Sequence, residues 1–295
     1  MTGRTTGEPS SQNRICLVTG ASSGIGLETA RGLAARGAAV GLVCRSPARG
    51  QAALRTLSEE FPAARLTLFQ ADLSSQTEIR RLAEDVREQL PGLNVLINNA
   101  GTIEKAHRTS PDGIELQFAT NYLSLFLLTS LLAETLTANA PARVVNVASG
   151  IHGRARMDWD DLVSPRSYDA FQAYARSKFA VVAHSKSAAR RLADSGVTVN
   201  SVEPGLTRTG LLDDANVGMF KVVRRFLRFA PTAAQSASHL VRLAVEPEFE
   251  GVSGLYFRKS NPAKPAKAIA DPEVLQRLWA FSERLTTQPT PDREP

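Results

Sequence analysis

The chain has few of the residues that make disulfide scaffolds, metal centres or membrane spans. Only two cysteines, Cys16 and Cys44, occur in 295 residues, and each sits inside a strand-like apolar run. No disulfide framework can be built from them, and a reducing, cytoplasmic setting is expected. The four histidines, His107, His152, His184 and His239, lie far apart with no ligand spacing, so no metal site is expected. The opening MTGRTTGEPSSQN is polar and has no signal-peptide core. No uninterrupted apolar run matches a bilayer's thickness, so no transmembrane segment is expected. A net charge of +6 raises the question of nucleic acid, but the basic residues are scattered, without aromatic interleaving or a recognisable module. We expect a mildly basic surface that attracts small anionic ligands, and no nucleic-acid partner.

What the chain does have is alternation. Short apolar runs at Ile15–Thr19, Ala39–Cys44, Leu66–Ala71, Val95–Asn98, Arg143–Val147, Thr198–Val202 and Gly254–Phe257 read as strands. Between them lie helical patterns at Gly24–Arg36, Ala48–Phe61, Ser75–Gln89, Gly113–Thr137, Tyr168–Asp194 and Thr232–Val245. Such βαβα order predicts an α/β fold: a single doubly wound Rossmann domain whose seven-stranded parallel sheet carries helices on both faces. Ligand is then expected at the carboxyl edge of the strands. The domain is expected over 14–285, with residues 1–13 and 286–295 as disordered arm and tail. A last helix over Pro272–Leu285 is expected to pack on the domain's flank, with a dimer contact as the alternative; a homo-oligomer is left open.

The stretch TGASSGIG, residues 19–26, joins the first strand to the first helix. Glycine there permits positive φ and close backbone approach, and the helix N-terminus offers N–H groups to a pyrophosphate. Gly20, Ser22, Ser23, Gly24, Ile25 and Gly26 are therefore candidate phosphate-binding residues, although a plain structural turn would share the pattern. The second strand ends Cys44-Arg45-Ser46, with no carboxylate to hold a ribose 2′-hydroxyl. Arg45 can instead bind a 2′-phosphate, assisted by Ser46 and Arg49, which favours NADP(H) over NAD(H). The alternative is a solvated arginine at a strand end.

Tyr174 and Lys178 stand at i and i+4 in a helical stretch and share a face. A phenol near pKa 10 is a poor acid–base at neutral pH, and a neighbouring ammonium is expected to draw it toward working range. Ser149 follows the strand Arg143–Val147, where a hydroxyl can stabilise a carbonyl oxygen gaining charge. Asn121 is polar on an otherwise apolar helix, which points to a deliberate buried hydrogen bond.

Together these residues resemble the short-chain dehydrogenases/reductases, over nearly the whole chain from Asn13 to Leu285. The motifs come in order: Thr19-Gly20-x3-Gly24-Ile25-Gly26, Asp72-Leu73, Asn98-Asn99-Ala100-Gly101, Asn121, Ser149, Tyr174-x3-Lys178 and Pro204-Gly205 with Thr209. The resemblance implies an NADP-dependent oxidoreductase acting on a small-molecule carbonyl or alcohol. It implies that Tyr174 transfers the proton, Ser149 positions the oxygen, Lys178 tunes Tyr174 and binds ribose, and Asn121 supports a water-linked proton path. It also implies that Asp72 and Leu73 border the adenine, Asn99, Ala100 and Gly101 line the cofactor cleft with Pro204 and Gly205, and Thr209 meets the nicotinamide carboxamide. Asn98 is expected to brace strands.

Ser149 and Tyr174 are 25 residues apart, a longer spacing than in most of the family, with an insert at Gly153–Ser167. That insert, the Cys44-Arg45 ending and the C-terminal segment are similar to the retinol-dehydrogenase-like branch, and within it to soluble bacterial ketoreductases of anthracycline-type polyketides. Reduction of a ketone on such a bulky aromatic intermediate is expected. A retinal or medium-chain aldehyde reductase, an alcohol-oxidising enzyme and a non-catalytic NADP-binding regulator are the rivals. Substrate contacts are expected from the insert, from His152 and from a lid over about 210–230. There Lys221, Arg224, Arg225 and Arg228 form one stripe and Val222, Phe226 and Phe229 another. A solvated helix, a lid and a membrane-surface helix all fit that pattern.

Overall fold

The computed structural model describes residues 14–163, 167–205 and 231–287. Seven parallel strands form the sheet: β1 (Ile15–Thr19), β2 (Ala39–Cys44), β3 (Leu66–Gln70), β4 (Val95–Asn98), β5 (Ala142–Val147), β6 (Val197–Glu203) and β7 (Tyr256–Arg258). An eighth, β8 (Asn261–Ala263), runs antiparallel to β7 at the edge, giving the order β3-β2-β1-β4-β5-β6-β7-β8. The expected seven-stranded sheet is thus extended by one strand. β8 is three residues long and holds Pro262, which an edge strand tolerates and which leaves no periodic signal. β7 begins at Tyr256, two residues later than expected, because Gly254 at φ +77° still belongs to the turn.

Strands β1, β2, β4 and β5 are buried along almost their whole length, as befits a sheet covered on both faces. Helices α1 (Gly24–Ala34), α2 (Pro47–Glu60), α3 (Gln76–Gln89), α4 (Leu116–Ala138), α5 (Ala170–Arg191), α6 (Ala233–Val245) and α7 (Pro272–Thr287) complete the described fold. Side chains end several of them: Ser46 accepts the Arg49 N–H, Ser75 the Glu78 N–H, and Asp169 the N–H groups of Phe171 and Gln172. The chain leaves β1 toward β3 and returns to β4, so the sheet's direction switches between β1 and β4. Ligands of such folds lie in the crevice above that point.

α4 is interrupted. After its first turn, Ala119–Leu123 widens into a π turn before the helix resumes at Ser124. The helix has the length and composition to cross a membrane, yet most of it is buried in the fold, against α3, α5 and α7. α7 lies against α5, with Leu275 and Leu278 buried and Trp279 stacked on His184 at 5.6 Å. The flank-packing expectation holds, and the helix continues to Thr287, so the first two residues of the expected tail are helical. Cys16 and Cys44 are free and buried, and burial pushes their thiols up to about 12 and about 11. Residues 1–13, the 210–230 segment and Thr209 lie outside the described residues.

Candidate active site

A cleft of about 870 Å³ opens at the carboxyl edge of the sheet. Gly20, Ser22, Ser23, Gly24, Ile25, Gly26, Arg45, Ser46, Asp72, Leu73, Asn99, Ala100, Gly101, Ser149, Tyr174, Lys178, Pro204 and Gly205 all line it. Of the described residues expected to hold cofactor or carry the catalysis, only Asn121 stands behind the wall rather than in it.

The glycine loop fits its place sterically. Gly20 adopts φ +67°, a region that disfavours side chains. A Cβ on Gly26 would stand 2.3 Å from the Gly20 carbonyl and 2.5 Å from the Asn99 amide, so helix and loop can meet only at glycine. Asn99 fastens the loop by donating its Nδ2 to the Thr19 carbonyl at 2.8 Å, while Thr19 Oγ1 accepts the N–H groups of Asn99 and Ala100. Ser23, at the N-cap of α1, makes no capping bond; its hydroxyl accepts from Arg49 at 2.9 Å instead. The first-turn amides of α1 thus have no side-chain cap and border the cleft, as an anion site requires.

Beyond β2, Arg45, Ser46 and Arg49 border the cleft and no carboxylate stands among them. Ser46 doubles as the cap of α2. Asp72 lines the same side, with its Oδ1 tied in a turn, accepting from Ser74 N at 2.9 Å and Ser74 Oγ at 2.8 Å. The residues present therefore fit a dinucleotide with a phosphate on its adenosine ribose.

On α5, Tyr174 and Lys178 turn inward together; both are buried, and the ammonium lies 5.8 Å from the phenol ring centroid. Lys178 Nζ donates to the Val147 carbonyl at 2.8 Å. Tyr174 shares a hydrogen bond with Ser149, the N-cap of the short turn Gly150–Arg154. Burial dominates both titrations, raising Tyr174 to about 12 and lowering Lys178 to about 8. The expected lowering of Tyr174 by Lys178 is absent here. Desolvation of the phenol dominates, and the hydrogen bond with Ser149 offsets only part of it.

Asn121 sits in the π turn and donates Nδ2 to the Thr102 carbonyl at 3.0 Å and to Ser177 Oγ at 3.1 Å, while Oδ1 accepts Thr102 N–H at 2.6 Å. Both amide hydrogens are committed, so the side chain fixes the loop after β4 where Gly101 passes Lys178. A Cβ on Gly101 would stand 3.2 Å from Asn121 Oδ1 and 3.7 Å from Lys178 Nζ. Asn98 braces as expected: its Nδ2 donates to Asn146 Oδ1 at 2.8 Å and to Thr129 Oγ1 at 3.2 Å.

Two expectations are corrected. His152 is no substrate contact: Nδ1 lies 2.8 Å from the Ser149 carbonyl and Nε2 accepts Ala266 N–H at 3.1 Å. It is a strut between the Ser149 turn and the chain after β8. The described part of the insert packs its apolar residues on the core rather than into the cleft: Leu162 is buried, and Met157, Trp159 and Val163 lie against the same cluster. Trp159 is covered by Arg277 at 4.8 Å, and of the described residues only Arg154 reaches the cleft. Glu203 lines the cleft and was missed. Its signal was its place at the end of β6, one residue before Pro204, by the rule that marks Arg45 and Ser149.

The family model described as short chain dehydrogenase matches residues 14–219. The human protein named retinol dehydrogenase 13 is 38% identical over 281 residues, covering 92% of this chain and 84% of the relative. A chloroplastic short-chain dehydrogenase, TIC 32 B of Brassica napus, is 35% identical over 279 residues, covering 91% and 87%. A short-chain dehydrogenase from Burkholderia cenocepacia, solved in complex with NADP, superposes with a TM-score of 0.70 at 28% identity, covering 85% of this chain and 98% of that one. An uncharacterised protein from Mycobacterium paratuberculosis superposes at 0.77 with 31% identity, covering 98% and 100%. With its glycine loop, its Ser149–Tyr174–Lys178 cluster and these relatives, the chain belongs to the short-chain dehydrogenase family of oxidoreductases.

Proposed function

We propose that this protein reduces a ketone to a secondary alcohol with NADPH, Tyr174 donating the proton. One observation carries the reading: a buried phenol, hydrogen-bonded to Ser149 and flanked by Lys178, stands in the wall of a cleft shaped for a dinucleotide. The glycine loop and the α1 N-terminus hold the pyrophosphate, and Arg45 with Ser46 and Arg49 holds the 2′-phosphate. Leu73 and Asp72 border the adenine, while Asn99, Ala100, Gly101, Pro204 and Gly205 shape the rest of the groove. Thr209 is assigned to the carboxamide on the family pattern. When bound, NADPH supplies the hydride.

The chain's own residues supply the rest. Ser149 and Tyr174 hydrogen-bond the carbonyl oxygen from one side and fix its orientation. Burial keeps the proton on Tyr174 up to about 12, so at neutral pH the phenol is in its donor form. As the carbonyl oxygen gains negative charge, the phenolic proton passes to it. The ammonium of Lys178, held by Val147, stabilises the phenolate left behind. Oxidation of an alcohol would need that phenolate at the outset, which burial opposes. The resting phenol thus suits reduction at neutral pH, and the supply of NADPH sets the direction.

For substrate we propose a bulky aromatic ketone of the anthracycline polyketide type, in a reducing, cytoplasmic setting that suits the two free thiols. Apolar Ile103, Ile151 and Phe171 in the cleft wall support it. A second reading, a retinal or medium-chain aldehyde reductase, is supported by the relatives named retinol dehydrogenase. A catalytically silent NADP-binding regulator would have no use for the aligned Ser149, Tyr174 and Lys178. NADPH consumption by the purified chain with a tetracyclic aromatic ketone, retinal and decanal separates these. The proposal expects turnover of the tetracyclic ketone, lost in Tyr174→Phe. Preference for either aldehyde supports the second reading, and no consumption with any of the three supports the regulator.

A further inference from the structure

Two carboxylates line the cleft, each hydrogen-bonded through one oxygen, and they differ in place. Asp72 accepts from Ser74 through Oδ1 beyond β3, at the sheet edge four strands from the β5 end that carries Ser149. Glu203, at the end of β6, is held by one oxygen: Oε2 accepts the Tyr256 hydroxyl at 2.5 Å and Arg258 Nε at 3.4 Å. Arg258 is itself largely exposed, whereas the Glu203 side chain is only 20% exposed. Oε1 lies against the turn that carries Ser149: a Cβ on Gly150 would stand 2.6 Å from it. Among the described residues no hydrogen bond reaches Oε1, although Arg154 also lines the cleft.

Water satisfies such an oxygen in the open cleft. A hydrocarbon-flanked ketone seated on Ser149 would strip that water away and return nothing, and a carboxylate left half-solvated resists this strongly. A hydroxyl or ammonium group beside the carbonyl would replace the lost water with a charge-assisted hydrogen bond. We propose that Glu203 selects the substrate: its free oxygen receives a donor on the carbon next to the reacting carbonyl, so α-hydroxy and α-amino ketones are preferred over purely hydrocarbon ones. This inference rests on the carbonyl-reductase reading and names the substrate class within it. It places the chain's preference away from an aldehyde on a bare polyene.

Three ketones of matched shape test it: propiophenone, α-hydroxyacetophenone and α-aminoacetophenone. Each is assayed with NADPH on the full chain and on Glu203→Leu and Glu203→Gln. α-Substitution alters the intrinsic reactivity of a ketone, so the readout is how each variant changes the ratio of kcat/KM values. Glu203→Leu is expected to lower the hydroxy- and aminoketone values by ten- to a hundredfold relative to propiophenone. Glu203→Gln, whose amide oxygen still accepts but carries no charge, is expected to spare the hydroxyketone and penalise the aminoketone. Equal loss for all three ketones in both variants would overturn the proposal, showing Glu203 to be only a spacer for Gly150. If Glu203→Leu fails to fold, Glu203→Gln decides alone, and unchanged ratios refute selection. If the unaltered chain consumes NADPH neither with these nor with the tetracyclic ketone, retinal or decanal, the reductase reading fails. Calorimetric titration of the same ketones into the NADP-bound chain and Glu203→Gln then tests the selection separately. A preference for the aminoketone that the variant loses supports it, and equal affinities overturn it.

Discussion

Raising the pH through the range in which Lys178 loses its proton removes one charge from the cleft and leaves the fold's hydrogen bonds in place. Burial holds Lys178 at about 8 and Tyr174 at about 12, so between pH 7 and pH 10 the lysine is the group of this pair that titrates. The ammonium is the form that steadies a developing phenolate, and kcat/KM for the ketone reports the ionisation of the form that binds it. Measured against ketone with NADPH saturating, kcat/KM should be near its plateau at pH 7. It should be halved near pH 8 and lowered about tenfold at pH 9, since only about a tenth of the lysine then keeps its proton. Lys178→Arg, charged throughout, should start lower because the guanidinium does not fit the Val147 carbonyl equally, yet show no such descent. Stopped-flow or steady-state NADPH oxidation in buffers of constant ionic strength gives the profile. A wild-type rate flat to pH 9, or an Arg variant with the same descent, would refute the assignment of this charge to transition-state stabilisation.

Other consequences are independent of that profile. Arg45→Asp should weaken NADPH binding by about 10- to 100-fold, the worth of a charge-assisted hydrogen bond, and improve NADH binding, as read by fluorescence titration. Unchanged NADPH affinity would remove Arg45 from the site. His184, buried among Tyr122, Phe126 and Trp279 with neither ring nitrogen hydrogen-bonded, is pushed down to about 3. Its folded-state pKa lies below the unfolded value of 6.5, so its contribution is complete above that pH and drains away as pH falls toward 3. Between pH 7.5 and pH 5 this amounts to about 2 kcal/mol, or a few degrees in Tm, that His184→Phe should not lose. Equal acid sensitivity in both proteins would contradict it.

The parts of the site legible in the sequence were those where backbone geometry demands a residue type. Gly20 and Gly26 can hardly be other than glycine, and Tyr174 with Lys178 announces itself by helical spacing. Seven strands were visible because buried parallel strands are short apolar runs between amphipathic helices. The rest left no pattern. β8 is too short and carries proline, and the π turn at Ala119–Leu123 adds no compositional mark to a helix that is apolar nearly all round. The strut role of His152 depends on Ala266, more than a hundred residues away, which spacing cannot reveal. Burial of Tyr174 was equally hidden, and with it the sign of its pKa shift. Glu203 was legible in principle, since strand-end position was already the criterion that singled out Arg45 and Ser149.

The central claim is that Tyr174 hands a proton to a carbonyl oxygen in a cleft that holds NADPH. The most direct measurement follows deuterium from NADPH labelled at the transferring position into product, for the unaltered chain and for Tyr174→Phe, with cofactor binding measured for both. The account predicts a deuterated alcohol from the unaltered chain, and a rate lower by about two to four orders of magnitude in the variant at unchanged NADPH affinity. Deuterium transfer at full rate by Tyr174→Phe, or NADPH binding with no transfer by the unaltered chain to any carbonyl, would contradict it.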